Sequence, residues 1–265
     1  MKKFSAILRK DRIEYIRSMK GVICVATIFL CCAMVLGATL ALPGLLGRLT
    51  EKGGILSEST SASDFMGRFF PENLRQSMGV LSSDIAVFYG IVTIILCYRI
   101  VPDEVLSKRV ILPMCAGYSK KELLISKKII YSILMSVPVY AFYMLYYLLA
   151  SNYLMKNYRI DQACVNGILL AFCIFVIVNI TMSLSMVVRS RLGILVTMIG
   201  VIIAVPDVLT FFSFGKYLPT YLLTLTYLSN TDYELIIAPI VTTIVLLICI
   251  EVFVFFRTDK INLRE

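Results

Sequence analysis

The chain has 265 residues, of which 59% are hydrophobic and 16% are charged, and its formal net charge is +9. A mean hydropathy of +0.86 excludes an ordinary soluble protein, because a water-facing surface needs more polar residues. The lack of histidine excludes zinc proteases of the H-E-x-x-H kind and Ser-His hydrolases. The composition therefore predicts an integral membrane protein.

Residues 1–20 precede the first apolar run and are predicted to form an amphipathic helix on the membrane surface. Phe4, Leu8, Tyr15 and Met19 fall roughly along one helical face, with basic residues elsewhere. An aspartate and an arginine interrupt this stripe. The alternative is an ordinary positively charged flank.

Six apolar runs are each long enough to cross a hydrocarbon core of about 30 Å as a helix. The sequence therefore predicts an all-α membrane protein in which residues 21–265 form one transmembrane domain. The six spans are placed near residues 21–42, 81–101, 129–150, 163–188, 192–214 and 235–256.

Basic residues are unevenly divided between the connections on the two sides of these spans. Roughly three quarters of the 26 lysines and arginines fall in the N-terminal segment, the 2–3 and 4–5 connections and the C-terminal tail. Because such residues are enriched on the cytoplasmic side, we predict a multi-pass protein of the cell membrane with both termini in the cytoplasm. The net positive charge favours anionic lipid, and no nucleic-acid partner is expected.

The eight cysteines do not suggest a metal site or a disulfide framework. All but Cys115 lie inside apolar runs, where cysteine is typical as a small hydrophobic residue. We expect no metal in this chain.

The connection after the fifth run reads FGKYLPTYLLTLTYLSNTDYE. Gly215 and Pro219 break it, and it is too polar for another span, yet it is too apolar for a free loop. Because irregular backbone at membrane depth must be satisfied by protein or water, we predict an external re-entrant hairpin between spans five and six.

The stretch LPMCAGYSKKELLISKK, residues 112–128, separates the second and third spans. Pro113 disfavours a continuous helix, and Gly117 can adopt a turn conformation closed to other residues. Ser119 and Glu122 have the spacing of a capping box. One helix is therefore predicted to end here and another to begin at about Ser119.

Polar side chains within the predicted spans are candidates for a transport pathway. Asn179 and Ser183 lie four residues apart on one face of the fourth span, and Asp207 follows Pro206 in the fifth. The alternative for Asn179 and Ser183 is hydrogen bonding between helices, and for Asp207 it is a place at the outer interface. Glu251 is expected either to snorkel or to pair inside the bundle.

The six-span topology and the segment PDEVLSKRVILPMCAGYSKKELLISKK together resemble the membrane subunit of type-2 ABC exporters. In that family an acidic residue leaves the second span, a coupling helix follows, and a Pro/Gly turn leads through a Ser-rich cap to a lysine at the base of the third. The residues that match this layout are Glu104, Pro113, Gly117, Ser119, Glu122, Ser126 and Lys127. Leu218 and Pro219 resemble the family's external stretch before the sixth span.

The resemblance implies a permease without catalysis or cofactor of its own, working as a homodimer or heterodimer. ATP and Mg would be bound by a separate cytoplasmic ABC ATPase, consistent with the absence of a G-x-x-x-x-G-K-[ST] loop in this sequence. Segment 103–120 would be the coupling element. Its candidate residues are Glu104, Lys108, Arg109, Pro113, Gly117, Tyr118, Ser119, Lys121 and Glu122.

Two other functions remain open from the sequence. One is the substrate-binding membrane subunit of an energy-coupled importer, which also has about six helices and no P-loop. The other is an intramembrane enzyme. The sequence does not identify a cargo.

Overall fold

In the computed structural model, the described residues are almost entirely helical. They comprise residues 2–52, 73–106, 111–115, 117–154, 157–187, 190–209, 217, 221–222 and 233–258. The helices are α1 (Lys2–Arg17), α2 (Met19–Lys52), α3 (Leu74–Asp84), a π turn (Ile85–Tyr89), α4 (Gly90–Cys97), α5 (Ile100–Leu106), α6 (Ile111–Cys115), α7 (Lys120–Ala150), α8 (Ile160–Val187), α9 (Arg191–Leu209) and α10 (Tyr233–Thr258).

Within the described part of the chain, five helical stretches are long and apolar enough to cross a membrane. They are Met19–Leu40, Leu74–Glu104, Glu122–Ala150, Ile160–Val187 and Ile236–Val254. This finding establishes a multi-pass, all-α membrane protein. These stretches correspond to the predicted spans one to four and six, and they are called spans 1, 2, 3, 4 and 6 below.

The predicted fifth span, 192–214, corresponds to α9. The part of α9 whose side chains are described and apolar, Leu192–Ile203, is shorter than a full span, and residues 210–214 lie outside the described residues. The predicted external hairpin also falls mostly outside them. Of that connection the structure describes Tyr217, whose carbonyl accepts a hydrogen bond from Thr242 Oγ1 at 2.7 Å, and the pair at 221–222.

Span 2 begins earlier than the prediction of residue 81. The helix starts at Leu74, and the polar residues Ser77 and Ser82 in its first part are both fully buried. The Ser77 hydroxyl lies 2.5 Å from the Tyr146 hydroxyl, and Ser82 donates to the Met78 carbonyl at 2.8 Å. Because their hydrogen bonds are made inside the protein, the serines do not end the span.

The helix α8 lies at the centre of the described bundle. Its most extensive contact is with α7, and it also packs against α4, α5, α9 and α10. Gly167 of α8 allows the closest approach, because a Cβ atom there would lie 2.9 Å from Cδ1 of Tyr143. Spans 3 and 4 are therefore held together over most of their length.

Hydrogen bonds of hydroxyl groups join the helices at the end of the bundle where span 3 ends. We call this end the tyrosine end, and it comprises Ser77, Tyr146, Tyr147, Tyr158 and Asn166. Tyr147 donates to the Tyr158 carbonyl at 3.1 Å, and Asn166 Nδ2 donates to the Tyr158 hydroxyl at 2.5 Å. With the Ser77–Tyr146 bond, these contacts join span 2, span 3 and the start of span 4. The opposite end, where Lys127 and Lys128 lie near the start of span 3, is called the lysine end.

Candidate functional site

The turn that leads to the lysine end is tightly built. Ser119 Oγ accepts the N–H of Glu122 at 3.2 Å, and the Glu122 carboxylate accepts the N–H of Ser119 at 3.0 Å. This confirms the capping box predicted from the sequence. Gly117 has a φ of 83°, in the left-handed region that glycine adopts without strain.

One helix ends in this stretch and another begins after Ser119, as predicted, because α6 ends at Cys115 and α7 begins at Lys120. Pro113 itself lies inside α6. It is the third residue of the short helix α6, where a missing N–H is tolerated because first-turn N–H groups have no partner within the helix. The Pro113 carbonyl accepts the N–H of Tyr118 at 3.2 Å, and the Met114 carbonyl accepts that of Gly117 at 3.0 Å. Two backbone hydrogen bonds therefore close the turn after Pro113, and two further bonds cap the helix that begins after Ser119.

Lys127 is the centre of an ion-pair cluster at the lysine end. Its side chain is only 2% exposed, and its ammonium forms an ion pair with Glu104, at the end of span 2. It also lies 3.5 Å from the carboxylate of Glu14 on α1. Two carboxylates therefore compensate a lysine that burial would otherwise make very costly.

Asp11 joins the same cluster through Ser126. Ser126 Oγ donates to Asp11 Oδ2 at 2.8 Å, and both residues are buried. Burial raises the pKa of Asp11 above its usual value, while the Ser126 hydrogen bond and the positive charge of Lys127 act in the opposite direction. A titratable carboxyl group therefore lies at the contact between α1 and span 3.

A cavity of about 270 Å³ lies between α1 and the lysine ends of spans 1, 2 and 3. The ring of Tyr131, which lines the cavity, packs edge-on against the ring of Tyr15, with 5.2 Å between the ring centroids. The ammonium of Lys20 lies 5.8 Å from the centre of the Tyr131 ring. The lining residues are Glu14, Lys20, Ile100, Asp103, Glu104, Lys127 and Tyr131.

Lys128 makes a second ion pair, on another side of the helix. Its partner is Glu251 of span 6, and its ammonium also lies 3.4 Å from Ser183 Oγ of span 4. Ser183 Oγ in turn donates to Glu251 Oε1 at 3.3 Å. The two adjacent lysines therefore contact α1 and span 2 on one side, and spans 4 and 6 on the other.

The structure brings only some of the predicted site residues together. Glu104, Ser126 and Lys127 form one cluster, whereas Glu122 serves the helix cap. Ser183 takes part in the second ion pair, but Asn179 donates to the Phe175 carbonyl of its own helix at 2.8 Å. Ser183 therefore bonds between helices, which is the alternative that the sequence left open, and the pathway role of both residues stays a prediction.

Several other predictions fall on side chains outside the described part of the chain. Lys108 and Arg109 lie in residues 107–110, between α5 and α6. Lys121 and Asp207 belong to the described helices α7 and α9, but their side chains are not described. Their roles stay predictions.

Sequence reasoning missed the acidic partners from α1. Asp11 was treated as an interruption of an apolar stripe, yet Ile7, Asp11 and Tyr15 are spaced by four residues and all are buried. Together with Glu14, one turn further along the helix, Asp11 could have indicated a face that meets basic residues of the bundle. Glu251 was expected to snorkel or pair, and it pairs.

Comparison with known proteins adds no relative. No protein-family model matches the chain, and no curated protein matches it. What is established is a helical integral membrane protein with five candidate spans and a buried ion-pair cluster at one end.

Proposed function

We propose that this chain is the membrane-spanning permease subunit of an ATP-driven exporter, with no catalysis of its own. In this proposal two permease subunits form the pathway through the cell membrane, and a separate ABC ATPase binds the 103–120 segment on the cytoplasmic side. The lysine end is then cytoplasmic, as are both termini. Asn179, Ser183 and Asp207 remain candidate pathway residues.

One observation carries the proposal: the helix that follows the 103–120 segment contacts four other helices through two adjacent, buried lysines. Lys127 pairs with Glu104 of α5 and contacts Glu14 of α1. Lys128 pairs with Glu251 of α10 and contacts α8 through Ser183. A displacement of the lysine end of span 3 would therefore act on the whole lysine end of the bundle.

The energetics favour concerted movement over separation of these helices. Removing one partner of a buried ion pair costs about 3–5 kcal/mol, because the remaining charge is left in a poorly solvated place. Pulling the helices apart would cost free energy at both ion pairs, because each would leave a lysine without its carboxylate. Tilting them together keeps both pairs intact, as the transmission of a push from an ATPase requires.

The start of the third span is suited to receive such a push. Ser119 and Glu122 cap its first turn, and Gly117 fixes the direction of the preceding chain. From Ser119 to Lys127 the helix rises about 12 Å at 1.5 Å per residue. A hydrogen-bonded turn that continues into a helix transmits force better than a free loop does.

The test is purification of the full chain from its native membranes in mild detergent. We expect an ABC ATPase to co-purify, and proteoliposomes of the complex to show ATP-dependent efflux. Reversing charge with Lys108→Glu and Arg109→Glu should reduce recovery of the ATPase, because these residues are proposed to bind an acidic surface. Arg159→Glu is the matched control, since Arg159 is 80% exposed at the tyrosine end.

Three results would contradict the proposal. A chain that purifies without an ATPase and shows a chemical activity by itself would indicate an enzyme. ATP-dependent uptake in place of efflux would indicate an importer subunit. Equal ATPase recovery with the charge-reversed variant and with wild type would remove the coupling role of the 103–120 segment.

A further inference from the structure

Span 2 contains an irregular turn near its middle. The residues Ile85–Tyr89 form a π turn between the α-helices α3 and α4. Such turns are rare, arise where a helix holds an extra residue, and frequently occur at functional sites. They are also among the few identified places where a helix bends. The π turn therefore divides the span into two halves. In the second half a short turn at Tyr98 and Arg99 joins α4 to α5, and the backbone hydrogen bonds continue through it, from Tyr98 N–H to the Ile94 carbonyl at 3.0 Å and from Asp103 N–H to the Arg99 carbonyl at 2.9 Å.

Span 3 contains a second irregularity, at Pro138. The helix α7 continues through this proline without a break. Because proline has no N–H, the carbonyl of Leu134 lacks its usual donor four residues later. A helix that misses one backbone hydrogen bond bends more easily there than elsewhere.

A hydrogen bond joins the two irregular places. The hydroxyl of Tyr89, the last residue of the π turn, donates to the carbonyl of Met135 at 2.7 Å. Tyr89 and Met135 are both fully buried, so water does not compete for this bond. Met135 directly follows Leu134, whose carbonyl Pro138 leaves without its donor. The weak places of spans 2 and 3 therefore lie at the same depth of the bundle.

Spans 2 and 3 also contact each other at both ends, through an ion pair at the lysine end and a hydrogen bond at the tyrosine end. At the lysine end the tie is the ion pair of Glu104 with Lys127. At the tyrosine end it is the bond between Ser77 and Tyr146. Each half of span 2 is thus joined to the corresponding half of span 3, on either side of the irregular level.

We propose that the π turn Ile85–Tyr89 and Pro138 form a paired hinge, held together by the Tyr89 hydroxyl. On this hinge the lysine-end halves of spans 2 and 3, residues 90–106 and 120–134, bend as one unit relative to the tyrosine-end halves. The hinge itself rests on the geometry alone. That the 103–120 segment, which begins at the end of one half and runs into the other, drives its bending rests on the proposed function.

Spin-label distances in the isolated chain, reconstituted in lipid nanodiscs, test the hinge without an ATPase. One label pair, at Leu40 and Ile125, spans the hinge, and a second pair, at Leu40 and Leu148, lies at the tyrosine end; all three sites are exposed. Replacing the incompletely buried cysteines by serine leaves the buried thiols sheltered from the label. The replaced cysteines are Cys115, Cys164 and Cys249.

Pro138→Ala restores the missing N–H and should narrow the Leu40–Ile125 distance distribution. Tyr89→Phe removes the bond between the spans and should broaden the same distribution. Pro239→Ala is the control for the first change, because Pro239 also lies inside a helix but away from the π turn. Tyr147→Phe is the control for the second, because Tyr147 also donates to a backbone carbonyl from a buried position.

The proposal holds if only the two hinge variants change the Leu40–Ile125 distribution and leave that of Leu40–Leu148 as in wild type. It is overturned if neither hinge variant changes it, or if the control variants change it equally. It is also overturned if both label pairs respond alike, since that would show general loosening. None of these outcomes depends on whether the chain binds an ATPase.

Discussion

Lys128 and Glu251 form an ion pair that joins the beginning of span 3 to the end of the last described helix. The lysine side chain is 6% exposed and the glutamate 40%, so the pair lies at the boundary between the bundle and its surroundings. A partly exposed carboxylate next to a buried ammonium keeps some of its hydration. Loss of the ion pair would therefore be more costly for the buried charge of Lys128 than for that of Glu251.

Glu251→Gln should destabilise the protein because Lys128 keeps its charge and loses its counter-ion. We expect a loss of about 1–3 kcal/mol, less than the roughly 3–5 kcal/mol for a fully buried ion pair, because Glu251 is partly exposed. The double variant with Lys128→Met should recover much of this loss, because replacing both charges of a buried pair is often close to neutral. Thermal unfolding in detergent measures all three proteins.

Asp161→Asn is the matched control for this series. Asp161 also accepts from a basic side chain, Arg159, but the two are 66% and 80% exposed. Exposed ion pairs contribute about 0–1 kcal/mol, so this variant should unfold almost as wild type does. Equal effects of Glu251→Gln and Asp161→Asn would mean that the Lys128 pair is no stronger than a surface contact.

Asp11→Asn should alter how stability depends on pH. Burial raises the pKa of Asp11 above 3.8 in the folded protein, so the folded state holds this proton more tightly than the unfolded state does. The stability that the proton confers is complete below the unfolded pKa and is lost as the pH rises through the folded value. The neutral asparagine has no such dependence.

The measurement is the free energy of unfolding of wild type and Asp11→Asn from about pH 4, near the unfolded pKa, to pH 8. Wild type should lose stability relative to the variant as the pH rises, and the difference should then become constant. Lys10 and Lys127 favour the charged form, whereas Glu104 opposes it. If wild type instead gained stability relative to Asp11→Asn as the pH rises, the two lysines would have a larger effect on the pKa of Asp11 than burial does.

Gly117→Ala should destabilise the turn before span 3. A residue with a Cβ atom costs roughly 1–2 kcal/mol in the left-handed conformation that Gly117 adopts. Gly37→Ala is a suitable control, because Gly37 lies in α2 and a Cβ atom there would meet nothing within 4 Å. Alanine should be neutral or slightly stabilising at that position. Unfolding temperatures that fall equally for both variants would contradict the assignment of the turn.

Cysteine labelling tests the proposed orientation. Cys115 is exposed in α6, next to the turn, and should react with a membrane-impermeant maleimide only after cells are permeabilised. A cysteine introduced at Ser61, between α2 and α3, should react in intact cells. The introduced label should be read in a Cys115→Ser background. The reverse pattern would place the termini outside and remove the basis for cytoplasmic coupling.

Five of the six predicted spans could be recognised from apolar length alone, and the cap at Ser119 was predictable because its partner is three residues away. The ion pairs were not. Ser126 contacts Asp11 across 115 residues, and the pairing depends on which face of α1 meets span 3. A single sequence gives the spacing along a helix, but not the rotation of one helix against another. The π turn was not predictable for a different reason, since its residues are as apolar as those around them.

The adjacency of Lys127 and Lys128 makes the length of the segment before them critical. Successive residues of an α-helix are rotated by about 100°, so two neighbouring lysines point in different directions. Inserting one residue between Ser119 and Lys127 would turn both ammonium groups away from their carboxylates at once. Inserting seven would restore their rotation to within about 20° but would move them about 10.5 Å along the helix axis, out of reach of the same carboxylates. The length of this segment is therefore fixed by helical rise as well as by rotation, and the two contacts of the lysine pair are kept or lost together.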